Sequence, residues 1–412
     1  MVERSKCMNV PEIRFKEFDE EWSENLLEDF FTKVTSKNRK LKYSAVLTNS
    51  AEYGIIGQLD YFDFDVTNSN NIGGYFIVEP DDFVYNPRVS VSAPVGPINR
   101  NRLGYTGIMS PLYLVFKING INKDFLCYYY KTKKWHRFMK LSGNCGARFD
   151  RLSISDDKFV KMPIIHPNNT KEQNQICKVF ENLDDLIEES TLRLVSLKRI
   201  KAASLQSMFP QEGETVPKVR FKGFEEEWSL KYVFELLCER NELSPQSPEF
   251  PLMAFIANNG IAEKGERYDR SALVNDVINK QYKRTYYGDF IYSSNNLETG
   301  SIGLNTYGKA TISPVYSIFY CTLNSDSNFV GYCMTRKSFI KEMIKWRQGV
   351  MYGQWRIHEK DFLRIKVLVP SLPEQQQIGT YFRNLDLQIS LQTQRLEKLK
   401  QIKAACLDKM FV

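Results

Sequence analysis

The sequence lacks the features that define several large classes of protein. None of its apolar runs approaches the roughly 18 residues that a membrane-spanning helix requires. The N-terminal stretch has neither the apolar segment nor the cleavage site typical of a signal peptide. Its eight cysteines include no C-x-x-C pair, and their spacing fits neither a disulfide framework nor a zinc ribbon. We therefore expect a cytoplasmic chain with reduced thiols and no membrane partner.

Residues for a catalytic or metal site are also scarce. Only three histidines are present and they are widely separated, which argues against a histidine-based site. A methyltransferase would need a Gly-rich cofactor loop and an [ND]-P-P-[FYW] element, whereas the Asn86–Pro87 pair is followed by arginine. A nuclease would need clustered acids near a lysine, but Asp81 and Asp156–Lys158 are 75 residues apart. We therefore predict a chain without catalytic activity, metal or cofactor of its own.

One heptapeptide, GLNTYGK (Gly303–Lys309), does fit the G-x-x-x-x-G-K pattern of a phosphate-binding loop. The next residue is Ala310, so the hydroxyl group that should ligate magnesium is missing. No apolar strand precedes the heptapeptide, and Pro314 prevents a long helix after it. We predict a glycine-rich turn before a strand.

The largest regularity is a duplication that extends over nearly the whole chain. The stretch PEIRFKEFDEEWS (Pro11–Ser23) returns as PKVRFKGFEEEWS (Pro217–Ser229), with nine of thirteen positions identical. The stretch Glu172–Phe209 returns as Glu374–Phe411, with 21 of 38 positions identical. A solenoid repeats every 20–50 residues or so, far less than this spacing, so each half is a structural unit of its own. The net charge of +7 weakly favours a polyanionic partner.

Each half is predicted to be a globular α+β block followed by one long helix. Short aromatic and β-branched runs such as Leu112–Ile118 and Pro314–Cys321 predict strands. These two runs correspond, and so do DFVY (Asp82–Tyr85) and DFIY (Asp289–Tyr292), while the segments between them diverge. The predicted boundaries are 1–160 for the first block, 161–212 for its helix, 213–368 for the second block and 369–412 for its helix.

The two long helices carry a heptad pattern that predicts a coiled coil. The first is acidic early and basic late, and the second is basic late, which favours antiparallel pairing. Ser190 and Gln392 occupy the same heptad position midway along; either they fix the register at the crossing point, or they face solvent or a partner. The predicted pairing residues are Ile176, Leu183, Ser190 and Leu197 in the first helix, and Ile378, Leu385, Gln392 and Leu399 in the second.

These motifs resemble the specificity subunit of type I restriction–modification enzymes. In that family, two divergent blocks are each opened by P-x-x-R-F-x-x-F-x-x-E-W and each followed by a helix of the L-P-x-x-E-Q-x-x-I type. The second helix has this pattern intact as PSLPEQQQI (Pro370–Ile378), whereas the first, PNNTKEQNQI (Pro167–Ile176), lacks the second proline. The helix endings Arg193–Phe209 and Arg395–Phe411 also match the family, so the resemblance covers the whole chain.

The resemblance implies a non-catalytic DNA-recognition subunit. Each block would be a target recognition domain that reads one half of a bipartite, asymmetric double-stranded DNA target. The helices would be conserved spacers that set the distance between the half-sites and dock two modification subunits, directing adenine methylation and restriction. S-adenosylmethionine would be bound by the modification subunits, and ATP with Mg would be used by restriction subunits that supply the translocase and nuclease.

Basic residues in the divergent segments are the candidate DNA contacts. We expect Arg and Asn to read bases and Lys to hold phosphates, although any single one could be an ordinary solvated surface charge. In the first block the candidates are Lys37, Arg39, Lys40, Lys42, Arg100, Arg102, Lys131, Lys133, Lys134 and Arg137. In the second block they are Lys280, Lys283, Arg284, Lys309, Lys345 and Arg347.

Two other functions stay open at the level of sequence. A stand-alone DNA-modifying enzyme would act on DNA without a partner. A coiled-coil scaffold with no nucleic-acid role would show no salt-dependent DNA binding.

Overall fold

The computed structural model describes residues 9–58, 69–144, 150–263, 280–350 and 354–412. The chain folds into two units. Unit 1 consists of Met1–Ser190 together with Arg395–Val412, and unit 2 consists of Thr191–Gln394. Each unit therefore contains one globular block, the start of one long helix and the end of the other.

Unit 1 is built around a four-stranded antiparallel sheet in the order β2-β9-β6-β7, beside the smaller pairs β1-β10, β3-β4 and β5-β8. Phe83 and Phe116 are fully buried on this sheet, and Phe159 packs edge-on against Phe116. The strands are β1 (Ser23–Leu26), β2 (Phe31–Lys33), β3 (Leu47–Ser50), β4 (Gly54–Gly57), β5 (Phe76–Val78), β6 (Phe83–Tyr85), β7 (Ile98–Arg100), β8 (Gly107–Met109), β9 (Leu114–Ile118) and β10 (Pro163–His166).

Short helices follow the sheet of unit 1. The side chain of Asn122 accepts hydrogen bonds from the backbone N–H groups of Asp124 and Phe125, so it caps the first helix. The α-helices of this block are α1 (Lys123–Tyr129), α2 (His136–Ser142) and α3 (Asp156–Phe159), and 3₁₀ turns lie at Leu27–Asp29 and Ser69–Gly74.

Unit 2 repeats this plan. Its four-stranded antiparallel sheet has the equivalent order β12-β20-β17-β18, so the predicted strand correspondences are confirmed. The strands are β11 (Ser229–Tyr232), β12 (Leu237–Arg240), β13 (Leu243–Ser244), β14 (Ala254–Ile256), β15 (Gly260–Ala262), β16 (Tyr282–Thr285), β17 (Phe290–Tyr292), β18 (Ile302–Leu304), β19 (Ala310–Ile312), β20 (Ser317–Cys321), β21 (Gln348–Val350), β22 (Gln354–Arg356) and β23 (Lys366–Val369). A 3₁₀ turn covers Val233–Glu235.

The remaining helices, in chain order, are α4 (Thr170–Ser207) of the first half and α5 (Ser327–Met334), α6 (Lys337–Ile344), α7 (Glu359–Leu363) and α8 (Leu372–Lys409) of the second. The two long helices, α4 and α8, have 38 residues each, which corresponds to about 57 Å. Helix α8 begins one residue before Pro373, so this proline lies in the first turn, where its missing N–H costs no hydrogen bond. Gly379 of α8 is required by close packing, because a Cβ there would lie 2.3 Å from Oδ1 of Asp326.

The antiparallel pairing of the long helices is confirmed within each unit. In unit 1, Phe180 near the start of α4 packs against Phe411 beyond the end of α8. In unit 2, Phe209 beyond the end of α4 packs against Phe382 near the start of α8. Six of the eight predicted pairing residues are apolar and are buried or half-buried, namely Ile176, Leu183, Leu197, Ile378, Leu385 and Leu399.

The two polar pairing residues, Ser190 and Gln392, are only 2% and 7% exposed. Of the alternatives left open by the sequence, exposure of these side chains to solvent is therefore wrong. Other apolar residues of the two helices differ in burial: Phe180 and Phe382 are fully buried, whereas Leu186, Ile200 and Ile402 are each more than a third exposed.

Two expectations about the class of protein can be compared with the described residues. None of the described helices is both long enough and apolar enough to cross a lipid bilayer. The six described cysteines are free thiols, whereas Cys7 and Cys145 lie outside the described residues.

Candidate nucleic-acid interface

The same arginine–glutamate pair joins the entry motif to the start of the long helix in both units. Arg14 donates to both carboxylate oxygens of Glu172 at 2.7 and 2.9 Å, and Arg220 donates to those of Glu374 at 2.7 and 2.8 Å. The hydrogen bonds to the glutamates raise the pKa of each arginine above its ordinary value. The two carboxylates are essentially unexposed, so these are buried, bidentate ion pairs.

The tryptophan of the entry motif lies in the core beside this pair, as expected from the sequence. Trp22 and Trp228 are 2% and 3% exposed. Nε1 of Trp22 donates to Oε1 of Glu172 at 3.2 Å, whereas Nε1 of Trp228 has no hydrogen-bond partner among the described residues. The two units are thus alike in packing at this point and differ in one hydrogen bond.

The glutamine after each glutamate connects the long helix to a helix of the block. Oε1 of Gln173 accepts from the backbone N–H of Asn122, the N-cap of α1, at 3.0 Å. Oε1 of Gln375 accepts from the backbone N–H of Asp326, the N-cap of α5, at 3.1 Å. Each glutamine also donates to a proline carbonyl, at 2.8 and 3.0 Å respectively. The E-Q dipeptide therefore positions the block on its helix.

A tyrosine, an aspartate and a lysine complete the connection to the second helix. In unit 2, Tyr332 of α5 donates to Oδ2 of Asp386 at 2.6 Å, and Lys201 pairs with Oδ1 of the same aspartate at 2.5 Å. In unit 1, Tyr128 of α1 donates to Asp184, which also pairs with Lys403. The acidic start of one helix thus meets the basic end of the other, as the charge pattern predicts.

We refer to the arginine–glutamate pair, the E-Q glutamine and the tyrosine–aspartate–lysine set of one unit as its junction. Both units have the same junction, so each block is held on the helices by equivalent contacts. The parts of the surface that differ between the units lie elsewhere, in the basic loops.

The loop Lys37–Lys42 of unit 1 is held by internal hydrogen bonds and has exposed basic side chains. Asn38 is 1% exposed; its Nδ2 donates to the carbonyl of Tyr43 and its Oδ1 accepts from the N–H of Tyr43. This buried amide holds the loop from inside, while Lys37, Arg39, Lys40 and Lys42 are exposed. None of these four forms an ion pair with a described carboxylate. Their charge is therefore available to an anionic ligand.

The second basic segment of unit 1, Lys131–Arg137, is divided between core and surface. Its aromatic residues belong to the core, since Trp135 and the preceding tyrosines are buried. Lys131 lies over the ring of Tyr128, where burial and the nearby Lys403 lower the pKa of its ammonium group. Lys133, Lys134 and Arg137 are exposed and have no described acidic partner.

Arg100 and Arg102 form ion pairs with aspartates of unit 1. Arg100 donates to Asp81 and to Asp124, and its side chain is only 15% exposed. Arg102 donates to the same oxygen of Asp124 at 2.5 Å but is half exposed. Arg100 therefore stabilises the block, and Arg102 retains donors for a ligand.

The first three candidates of unit 2 lie on or next to β16. Lys280 is exposed, and its Nζ is 5.9 Å from the centroid of the Tyr282 ring. Lys283 is buried and donates to the carbonyl of Tyr316 at 3.0 Å, and burial lowers the pKa of its ammonium group. Arg284 stacks on the ring of Phe250. Lys283 is thus placed for packing and not for contact with a ligand.

The last three candidates of unit 2 each pair with a glutamate. Lys309 pairs with Glu249 at 2.5 Å, and Lys345 pairs with Glu342 at 2.6 Å. Arg347 donates to both oxygens of Glu298 at 2.8 and 2.7 Å, and its side chain is 10% exposed. The sequence shows these positive charges but not their acidic partners, which for Arg347 and Lys309 are 49 and 60 residues away.

A cleft of about 440 Å³ in unit 1 contains arginines that were not among the candidates. Arg88 and Arg151, whose backbones form an isolated bridge, line it together with Asn49 and Asn86. Asn86 donates to the backbone carbonyl of Asn49 at 2.9 Å, and Asn99 donates to its Oδ1 at 2.7 Å. In the sequence, Arg88 is notable only because an arginine after Asn86–Pro87 does not fit the methyltransferase element. Neither Arg88 nor Arg151 lies in one of the candidate basic segments, so the charge pattern does not predict this cleft.

The described part of the chain contains no group of acidic, cysteine or histidine side chains that could hold a metal ion. The heptapeptide Gly303–Lys309 connects β18 to β19 as a turn, in which Oδ1 of Asn305 accepts from the N–H groups of Tyr307 and Gly308. The predicted glycine-rich turn before a strand is therefore confirmed. The expectation that no apolar strand precedes the heptapeptide is wrong, because β18 (Ile302–Leu304) includes its first two residues.

Comparison with solved structures shows the same fold in another protein. The type I restriction–modification S subunit from M. genitalium is similar over 98% of this chain and 99% of its own length, with 13% identity and a TM-score of 0.57. The HsdS subunit from Thermoanaerobacter tengcongensis is similar over 95% and 96%, with 13% identity and a TM-score of 0.47. No curated protein sequence matches the chain.

The duplicated blocks also match a known sequence family. The type I restriction modification DNA specificity domain matches residues 19–198 and 230–401, which is one copy in each half and most of the chain. The chain therefore belongs to the family of type I restriction–modification specificity subunits, in which it is a DNA-recognition component and not a catalytic one.

Proposed function

We propose that this chain directs adenine methylation and restriction to a bipartite, asymmetric DNA target. Each block is a target recognition domain that reads one half-site through its divergent basic surface. The two long helices set the spacer between the half-sites and dock two modification subunits. Restriction subunits join this core.

The duplicated junction is the observation that carries this proposal. Equivalent contacts hold both blocks on the helices, so both blocks present corresponding surfaces to their ligands. The backbone of duplex DNA has a local two-fold symmetry, which suits two such readers. Because the basic loops differ between the units, equivalent poses would read different bases.

Exposed apolar side chains on the long helices support the docking of protein subunits. On unit 2 these are Leu192, Val195, Ile200, Leu387 and Leu391, of which Leu192 is 60% exposed. Large apolar side chains on the outer face of a helix pair are typical of a surface that a partner covers.

We further propose that cofactors belong to the partner subunits. S-adenosylmethionine would be bound by the modification subunits, and ATP with Mg by the restriction subunits. Such a complex would act on DNA in the cytoplasm.

The test is a genome-wide map of methylated adenines in cells that express this chain with its modification subunits. We expect one two-part motif with a fixed spacer, which disappears when this chain is omitted. Methylation by the purified chain alone would instead indicate a stand-alone enzyme. An assembled complex whose DNA affinity does not fall with added salt would indicate a scaffold without a DNA role.

A further inference from the structure

Unit 2 carries a two-stranded ribbon that belongs to neither of its larger sheets. Strands β21 and β22 pair only with each other, in the register Gln348↔Arg356, Gly349↔Trp355 and Val350↔Gln354. All three residues of β22 are exposed, and so are Gln348 and Gly349. A strand pair with this exposure contributes little to a core. The side chain of Gln348 donates to Oδ2 of Asp361 at 3.3 Å, whereas that of Gln354 forms no hydrogen bond with a described residue and is available to a ligand.

The two faces of the ribbon differ in chemistry. Directly paired residues share one face of an antiparallel ribbon, and neighbours along a strand alternate between faces. One face therefore carries Gln348, Gln354 and Arg356, which have hydrogen-bond donors and acceptors. The other carries Trp355 opposite Gly349, whose surroundings are open.

The base of the ribbon is hydrogen-bonded to the block. Arg347, immediately before β21, is largely buried and forms the bidentate pair with Glu298, whose carboxylate is half exposed. On β22, the backbone N–H of Trp355 donates to Oδ1 of Asn295 at 2.6 Å, and that of Ile357 donates to Oγ of Ser294 at 3.0 Å. Arg347 was a candidate DNA contact, but its geometry makes it a positioning residue for the ribbon.

We propose that this ribbon enters the major groove of DNA and that Gln354 and Arg356 read base edges there. This rests on the proposed function of the chain. A two-stranded ribbon fits the width of the major groove, where glutamine pairs with adenine and arginine with guanine through two hydrogen bonds each. Among the described residues Arg356 pairs with a single carboxylate, Glu359 at 3.4 Å, and its side chain is 54% exposed, so most of its donors are available.

The corresponding place in unit 1 supports a role in specificity. The segment between α2 and α3 also forms antiparallel bridges, Asn144↔Ser153 and Arg88↔Arg151. The backbone of Arg151 there forms an isolated antiparallel bridge with Arg88, and both residues line the 440 Å³ cleft. The same position in the two units thus presents different polar side chains, as two readers of different half-sites require.

The test uses the complete complex of this chain with its modification subunits, in the wild-type form and with Gln354→Ala or Arg356→Ala. Mapping of methylated adenines should show one half-site with a relaxed base preference, by roughly 10- to 100-fold at one position, and the other half-site unchanged. Arg364→Ala is the matched control, because Arg364 is 68% exposed in the same unit but lies outside the ribbon. It should leave the motif unaltered.

Three outcomes would overturn the proposal. An unaltered motif in both ribbon variants, or a uniform loss of methylation without a change of motif, would show that the ribbon does not read bases. Failure of the variants to assemble with the modification subunits, seen by size-exclusion chromatography, would assign the ribbon to a protein partner. A wild-type complex without a two-part motif would instead overturn the proposed function itself.

Discussion

A buried aspartate precedes the same central strand in both units, but its surroundings differ. Asp289 accepts from the guanidinium group of Arg240 at 2.8 and 3.2 Å. Asp82 accepts from the backbone N–H of Glu79, and the nearest cation, Lys117, is 4.0 Å away. Burial raises the pKa of Asp82 to about 6. The two corresponding aspartates are thus equally buried, and only Asp289 has a close ionic partner.

We predict that Asp82→Asn stabilises the chain above pH 6. The folded chain binds the Asp82 proton more tightly than the unfolded chain does. The protonated Asp82 carboxyl group therefore stabilises the folded chain. This stabilisation is fully present below about pH 4 and is lost as the pH rises through about 6. The loss amounts to about 3 kcal/mol at most, and asparagine avoids it. Urea unfolding at pH 5 and pH 8 should show a stabilisation that grows with pH.

The control for this prediction is Asp157→Asn, since Asp157 is exposed at the start of α3. Its effect should be small, because the side chain is exposed. If Asp82→Asn is equally stabilising at both pH values, titration of Asp82 is not the cause.

Exposed lysines with and without acidic partners should contribute differently to DNA affinity. In the assembled complex, Lys40→Ala should weaken binding of all DNA sequences alike and reduce the slope of log affinity against log salt by about one. Lys345→Ala should have a smaller effect, because Glu342 already neutralises Lys345. Equal slopes for the two variants would contradict this distinction.

At the scale of elements, the sequence predicts the parts better than their contacts. Periodicity and Pro positions located both long helices, and aromatic runs located β9 and β20. The sequence shows the two motifs that contain Arg14 and Glu172. It does not show that these two residues, 158 positions apart, form an ion pair. Likewise, charge patterning could not separate the exposed Lys40 from the buried Lys283, because burial depends on which strands become neighbours.

The junction contains contacts of unequal strength, and this can be measured. Glu172→Gln removes a buried charge that Arg14 and Trp22 both contact, so we expect a loss of about 3–5 kcal/mol in unfolding free energy. Asp184→Asn should cost less than about 1 kcal/mol, because Asp184 is 37% exposed. Glu181→Gln, on an exposed position of the same helix, is the control and should be within about 0.5 kcal/mol of wild type. Similar losses for Glu172→Gln and Asp184→Asn would contradict this order.

At the scale of the whole molecule, the equivalence of the junctions predicts that the blocks are exchangeable. Replacing Lys37–Asp150 with the same segment of another family member leaves Arg14, Glu172 and Gln173 in place. It exchanges Asn122 and Tyr128, which contact Gln173 and Asp184, for the equivalent residues of the new block. We expect the methylation map to change in one half-site and to keep the other half-site and the spacer. A change in both half-sites would mean that the blocks do not read DNA independently.

The long helices predict a relation between protein length and DNA spacing. Four residues inserted at mid-helix, after Glu189 in α4 and after Ser390 in α8, would lengthen each helix by about 6 Å. This is less than about two base pairs of duplex. We expect the variant to lose methylation at targets with the original spacer and to gain it where the spacer is one or two base pairs longer.

Alanine at Glu188 and Glu189, both exposed, changes the same region without changing its length and should keep the original spacer. The half-site sequences should be identical in the wild type, the lengthened variant and the alanine variant. If the lengthened variant keeps the original spacer, the helices do not set the distance between the half-sites.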